Sequence, residues 1–228
     1  MKTIGIMGAM PEEVVLVVDA LAHVKEKSYA GATYYTGERN GKQVVVCCAG
    51  IGKANAAAAA QVLITYFGAD VIFFSGIAGN MSTEIGIGDV VVSETLCYHD
   101  AEDRMLAQSM PGTALYTADS FLIDVACKAC EAVGVRHIVG KIATGDQFIG
   151  DPELKKDIAR RCAPHCVEME GAAVAQIAMR NHIPFVVVRA MSDNSDEAIE
   201  SLGAEHFDIA VYVKTSSSIA IAAIDIAT

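Results

Sequence analysis

The chain has 228 residues, enough for one α/β domain with a continuous core. Hydrophobic residues make up 53% and charged residues 20%, which excludes a disordered chain, and the lack of Trp argues against a stacking platform for single-stranded nucleic acid. A formal net charge of −11 repels phosphate backbones and anionic lipid, so we expect no nucleic-acid and no membrane partner, which leaves a small neutral or zwitterionic ligand.

Residues 3–8 form a β-rich apolar run and read as a strand. Pro11 opens a helix at its first turn, with Glu12 and Glu13 near the positive end of its dipole. The apolar stretch 4–10 is too short for a signal sequence, so a cytoplasmic protein is expected. Segments 33–38 and 43–48 flank Asn40-Gly41 and read as a hairpin. Residues 53–67 are Ala-rich and helical, and 71–74 form an apolar strand buried on both faces, ending in a small-residue turn, SGIAGN. Residues 89–93 are a short strand, and 99–112 form the least regular segment, expected to be mobile. The reading continues with a helix at 119–133, a strand at 138–144, a helix at 152–162, a short extended piece at 165–168 and a helix at 171–181. A strand at 184–191 and a long helix at 207–226 complete it; Lys214, Ser216 to Ser218 and Asp225 interrupt that last apolar stretch, so it does not read as a membrane span. The alternation predicts a mostly parallel, twisted sheet with helices on both faces, in one domain over residues 1–228.

Seven cysteines, an odd number, argue against a closed disulfide framework. Cys127 and Cys130 lie in an Ala-rich helix and read as packing residues, because the paired short-turn spacing of zinc modules is missing. The first turn, Gly5-Ile6-Met7-Gly8-Ala9-Met10, lacks the dinucleotide fingerprint, and no Lys-Ser/Thr follows SGIAGN to make a P-loop. Neither a nucleophile elbow nor a zinc-protease motif is present. We expect no metal and no cofactor.

In open α/β sheets ligands bind beyond the carboxyl ends of the strands. Four such ends carry polar groups: Met10 to Glu13, the SGIAGN segment, Thr144 to Ile149, and Arg189 to Asn194. Taken singly, each has a structural explanation, because glycines make turns and carboxylates at helix starts complement the dipole. Glu168 and Glu170 are harder to dismiss. They are enclosed by Val167, Met169 and Ala172, where an unpaired carboxylate is costly, and so need Arg189 or a ligand hydroxyl as partner.

The motifs IGIMGAMPEEV, AGIGKANAA, SGIAGN, ATGDQF, VEMEGAAVAQ and VVVRAMSDN occur in this order. Together they resemble the 5′-methylthioadenosine/S-adenosylhomocysteine nucleosidase family of the nucleoside phosphorylase superfamily, over nearly the whole chain. The resemblance implies a single α/β domain with a central mixed, partly barrel-like sheet flanked by helices, working as a homodimer on a small nucleoside substrate. It implies that Glu13 activates water, Asp193 protonates or hydrogen-bonds purine N7, and Glu170 binds the ribose 2′-hydroxyl. Met169 and Arg189 would enclose the ribose and the water, and Ser192 would orient Asp193. Phe148 and Ile149 would read the adenine edge, Ala78 and Gly79 would approach the substrate closely, and Met10, Ile51 and Phe207 would line the ribose and 5′-thio end. The chain departs from the family at Ile77, where many members carry Ser, and in a shortened loop after Tyr98-His99-Asp100. In the family that loop reaches the neighbouring subunit's 5′-pocket, and Met105, Leu106 and Met110 are the substitutes here for its aromatic residues.

The chemistry asks for the same residue types. A purine anion leaves poorly and must gain a proton, while the oxocarbenium-like sugar favours nearby negative charge and a water held against C1′. Environments that push paired carboxyls apart meet both needs, so Asp193 is expected in the drier setting with a raised pKa and Glu13 as an anion near its helix start. The rivals are aminodeoxyfutalosine as substrate, a purine nucleoside phosphorylase, and a catalytically silent nucleoside sensor.

Overall fold

The computed structural model describes residues 3–196 and 209–227, so Phe207, one of the expected substrate contacts, lies outside the described residues. Strand β1 (Thr3–Gly8) leads into α1 (Pro11–Asp19), where Pro11 takes a first-turn position whose missing N–H would be unpaired anyway. Next come β2 (Ala22–Tyr29), β3 (Ala32–Arg39) and β4 (Lys42–Cys48), an antiparallel meander in which Asn40 and Gly41 turn the second hairpin at positive φ. Helix α2 (Lys53–Thr65), β5 (Val71–Asn80), β6 (Val90–Tyr98), the short α3 (Asp103–Leu106) and β7 (Tyr116–Thr117) follow. Asp119 caps α4 (Ser120–Val133), and the left-handed Gly134 ends it. After β8 (His137–Thr144) and α5 (Pro152–Cys162) come β9 (Cys166–Glu168), α6 (Gly171–Arg180), β10 (Phe185–Asp193) and α7 (Ile209–Ile226).

The strands run in the order β10-β6-β8-β9-β5-β1-β4-β3-β2, and β10 also pairs with β5. That extra pairing closes β10, β6, β8, β9 and β5 into a ring, from which the remaining strands extend as a wing. The sheet is mixed rather than mostly parallel. Its parallel pairs are β1–β4, β1–β5, β5–β10, β6–β8 and β8–β9, but β6–β10, β2–β3, β3–β4, β5–β9 and β6–β7 are antiparallel. Strand–helix alternation identifies the crossovers, but it misses strands that pair with a hairpin or a ring neighbour.

Two further differences bear on function. SGIAGN is not a turn: β5 runs on to Asn80 because β10 stays paired beside it as far as Gly79. The strand β2 has no counterpart in the sequence reading. All its residues are exposed, so it carries no apolar alternation, and Lys25, Glu26 and Lys27 put charge on this sheet edge, which disfavours adding a further strand.

Helix α7 is long and apolar enough to cross a membrane by length and composition, with a mean hydropathy of 1.5. Here it packs against α1, α4, β5 and β10 and buries Val213, Ile219, Ala220, Ala223 and Ile224. Its buried serines tie it to the centre: Ser217 Oγ donates to Glu13 O at 3.0 Å, and Ser75 Oγ donates to Ser216 O at 2.7 Å. Burial of these hydroxyls is offset by these bonds.

Leu63 of α2 is fully buried and packs over Gly5 of β1, where an added Cβ would stand 2.7 Å from its Cδ2. Leu63→Ala is expected to cost about 2–5 kcal/mol. Urea unfolding checks this as a lower midpoint at unchanged m-value.

Candidate active site

Glu13 is the third residue of α1, and its side chain folds back over the helix start. Its Oε2 accepts from Ala9 N at 2.7 Å and Met10 N at 3.1 Å, and its Oε1 from Ile77 N at 3.1 Å. The Met10 contact is half of a capping box, but here the capping carboxylate is only 4% exposed. Burial pushes its pKa above the usual 4.5, opposed by the charge of Arg189 and by the three amides. The anion expected at this helix start is favoured by Arg189 and the three amides, against burial. The expected contrast in dryness is absent, since Asp193 is 6% exposed and Glu13 is no wetter.

Arg189 is buried on β10 beside Gly76 of β5, with its guanidinium carbon 4.1 Å above the Phe74 ring. Nη2 donates to Glu168 Oε2 at 2.6 Å and stands 3.9 Å from Glu170 Oε2. Among the described residues Nε and Nη1 have no hydrogen-bond partner. A Cβ on Gly76 would lie 2.6 Å from Arg189 Nη1 and 2.6 Å from Glu13 Oε1, so only glycine leaves a gap between that cation and that anion. Glu170 accepts from Gly52 N, at the start of α2, at 2.8 Å. Burial, and then the charge of Glu168, push its pKa up to about 7 against the pull of Arg189.

Asp193 stands further along β10, opposite Gly79. The register shifts between Met191 and Asp193, a bulge that re-aims the strand end. Its carboxylate accepts from Ser192 Oγ at 2.9 Å and Ser195 N at 2.8 Å. Beside it lies a hollow, about 260 Å³ with its open mouth included, lined by Gly79, Phe148, Ile149, Val167, Met169 and Asp193 together with Gln147, Glu168 and Ser195. The Glu13–Arg189 gap adjoins Gly76, three residues before Gly79, which at a strand rise of about 3.3 Å places the two acidic ends about 10 Å apart along β5.

The family model of the phosphorylase superfamily matches residues 3–225. The 5′-methylthioadenosine/S-adenosylhomocysteine nucleosidase of Halalkalibacterium halodurans is 38% identical over 200 residues, covering 85% of this chain and 86% of that protein. The chain belongs to this nucleosidase family. Its structure superposes on that of the nucleosidase from Neisseria meningitidis in complex with methylthio-immucillin-A, with a TM-score of 0.90, 31% identity and coverage of 98% of this chain and 99% of that one. The futalosine hydrolase (mutant) of Helicobacter pylori strain 26695 is similar too, with a TM-score of 0.89, 26% identity and 99% coverage of both chains.

The residues singled out from the family motifs fall in three places. Glu13 and Arg189 face each other across Gly76, Glu170 stands 3.9 Å from Arg189 Nη2, and Met10 N donates to Glu13. Asp193, Gly79, Phe148, Ile149 and Met169 line the hollow, while Ala78 O accepts from Ser192 Oγ at 3.3 Å behind it. Ile51 is 54% exposed and stands at the rim, one residue before Gly52. The departure at Ile77 leaves its backbone donor to Glu13 in place, because that contact needs no particular side chain. Sequence reasoning gave no role to Thr144, Gly76, Gly52 or Ser195. Gly76 reads as a turn residue inside SGIAGN, Thr144 and Gly52 lie inside quoted motifs without an assigned role, and Ser195 gives no local signal. Among the described residues no three His, Cys, Asp or Glu side chains are grouped to hold a metal ion.

A carboxyl group whose folded pKa is raised favours the folded state while protonated, and that contribution is lost as pH rises through the folded value. For Glu170 the window runs from about 4.5 to about 7. Glu170→Gln keeps an acceptor for Gly52 N and does not titrate. Its thermal stability relative to wild type should therefore increase across that window and level off above it, read as a difference in Tm at pH 4, 6 and 8.

Proposed function

We propose that the chain hydrolyses the N-glycosidic bond of 5′-thio-substituted adenosines, methylthioadenosine and S-adenosylhomocysteine, releasing adenine and the thioribose. One observation carries the reading. A buried carboxylate and the unpaired face of a buried guanidinium meet across Gly76, and a second carboxyl group borders an apolar hollow about 10 Å further along β5. The purine lies in the hollow, with Phe148 against its face and Asp193 at N7. Water sits between Glu13 and Arg189, and Glu170 holds the ribose 2′-hydroxyl. As the C1′–N9 bond breaks, its electrons pass to the purine, which gains a proton at N7 from Asp193. The sugar becomes oxocarbenium-like, stabilised by Glu13 and Glu170, and the water oxygen bonds C1′ while Glu13 takes its proton. A base with a raised pKa binds that proton better than an ordinary glutamate.

The Glu13 carboxylate also supports water over phosphate as acceptor. Ala9 N and Met10 N donate to one oxygen and Ile77 N to the other of a single carboxylate, so a tethered anion already takes these donors. Phosphate arriving there would meet like charge. Exposed Met105 and Met110 on the loop after β6 support a homodimer in which this loop covers the neighbouring subunit's 5′-pocket. We place the protein in the cytoplasm, as one catalytic unit over its whole length, without a cofactor. A second reading, aminodeoxyfutalosine as substrate, is favoured by the futalosine hydrolase likeness, and it uses the same base site with a different 5′-group.

Adenine release should be measured on methylthioadenosine, S-adenosylhomocysteine and aminodeoxyfutalosine, with and without phosphate. The expected result is phosphate-independent release, fastest from the thio-nucleosides. Faster release from aminodeoxyfutalosine would select the second reading, and a phosphate requirement would overturn hydrolysis. Glu13→Gln should keep ligand binding and lose about 10²–10⁴ in kcat. Asp193→Asn turning over as fast as wild type would remove Asp193 from its role as acid.

A further inference from the structure

Arg189 can hold a water only if its guanidinium keeps Nε and Nη1 free while standing close to three carboxylates. Left alone, a planar fork with five donors turns to chelate a carboxylate through two of them. Glu13 and Glu170 are both near enough to invite this, and the gap at Gly76 would close. Something must hold the fork by one end.

That holder is Glu168, at the end of β9. Its side chain is buried, and every contact fixes it in one pose. Oε2 accepts from Glu170 N at 3.1 Å, from Gly171 N at 2.7 Å and from Arg189 Nη2 at 2.6 Å. Oε1 accepts from the hydroxyl of Thr144, and Thr144 Oγ1 in turn accepts from Ala172 N at 2.8 Å. Because Ala172 N can only donate and the Glu168 carboxylate accepts, the Thr144 hydroxyl points its proton toward Glu168. The start of α6 thus clamps Glu168 directly through two amides and indirectly through Thr144. A Cβ on Gly171 would come within 3.1 Å of both carboxylate oxygens, so this helix start is shaped to the carboxylate.

We propose that Thr144 and Glu168 act as positioning residues for the hydrolytic water. They anchor one end of the Arg189 guanidinium to the start of α6, so that its other donors stay turned toward the gap facing Glu13. Neither is a catalytic residue, since both act through Arg189. The inference rests on the proposed hydrolysis, and it adds what keeps the water site open.

The neighbouring charges give a signature that a merely structural role lacks. The titratable groups around the Glu168–Arg189 pair are Glu13, Glu170, Cys166, Tyr98 and His99. The negative charge of Glu168 raises the Glu170 pKa, and the positive charge of Arg189 lowers those of Glu13 and Glu170. Glu168→Gln removes the first and releases the second, so the groups that must ionise do so at lower pH.

The experiment measures kcat, KM and the pH profile of adenine release for wild type, Thr144→Val, Thr144→Ser and Glu168→Gln, alongside adenine binding and thermal unfolding. Thr144→Val is expected to lose about tenfold in kcat, the size of one hydrogen bond to a charged group, with KM within about twofold. Thr144→Ser should restore most of that loss. Glu168→Gln should lose about 10²-fold or more in kcat and shift the acidic limb of the profile downward. If Thr144→Val does not fold, the near-isosteric Glu168→Gln decides through its pH limb. Folded variants with wild-type kcat and an unmoved acidic limb would overturn the positioning role and leave the hydrolase reading intact. A wild type that releases no adenine would instead overturn the hydrolase reading.

Discussion

One buried cation faces three buried carboxylates. Arg189 is 1% exposed, and the charges that favour its ionised form are, in order, those of Glu168, Glu13 and Glu170. A single positive charge cannot compensate three negative ones in a medium that screens poorly. The structure resolves the conflict by giving each acid a different remedy. Glu168 takes the direct ion pair and two backbone amides, Glu13 takes three backbone amides, and Glu170 has a single amide and a pKa pushed up to about 7 by burial and the charge of Glu168. The reactivity proposed for the site grows out of this imbalance, since a fully neutralised cluster would hold no base.

The strand pair β5–β10 sets the distances. Parallel pairing fixes Arg189 beside Gly76 and Asp193 beside Gly79, so the spacing between the two ends of the site follows from strand geometry rather than from loops. Closure of the ring through this same pairing stiffens it. The helices then bring in what the strands lack: α1 delivers Glu13, the start of α2 donates to Glu170, and the start of α6 holds Glu168. Three helix starts point at one acidic cluster, where their dipoles partly offset the unpaired negative charge.

A carboxylate at the third position of a helix ordinarily has a plain structural use, and Glu13 performs it by accepting from the Met10 amide. Capping alone does not require burial, nor a donor from a strand 64 residues away at Ile77. A helix cap can be left in water at no cost, whereas this one is enclosed with a raised pKa next to an arginine that has donors to spare. Stability alone would favour a fully paired arrangement, and the cost of keeping this one belongs to function.

Much was legible in the chain itself. The apolar runs at β1, β5 and β10, the Asn40-Gly41 turn and the amphipathic α4 follow from local periodicity and turn chemistry, which act over a few residues. The motifs likewise named Glu13, Glu170, Arg189 and Asp193, because residue order within a motif survives in one dimension. Tertiary structure alone decided what depends on partners distant in sequence. The exposed β2 exists because β3 pairs with it, and SGIAGN stays extended because β10 lies alongside. Thr144 meets Glu168, and Gly52 meets Glu170, only after the ring has closed and the helix starts have converged. Burial has the same origin: no local pattern states that Glu13 is enclosed as deeply as Asp193, because enclosure is a property of what the rest of the chain places around a group.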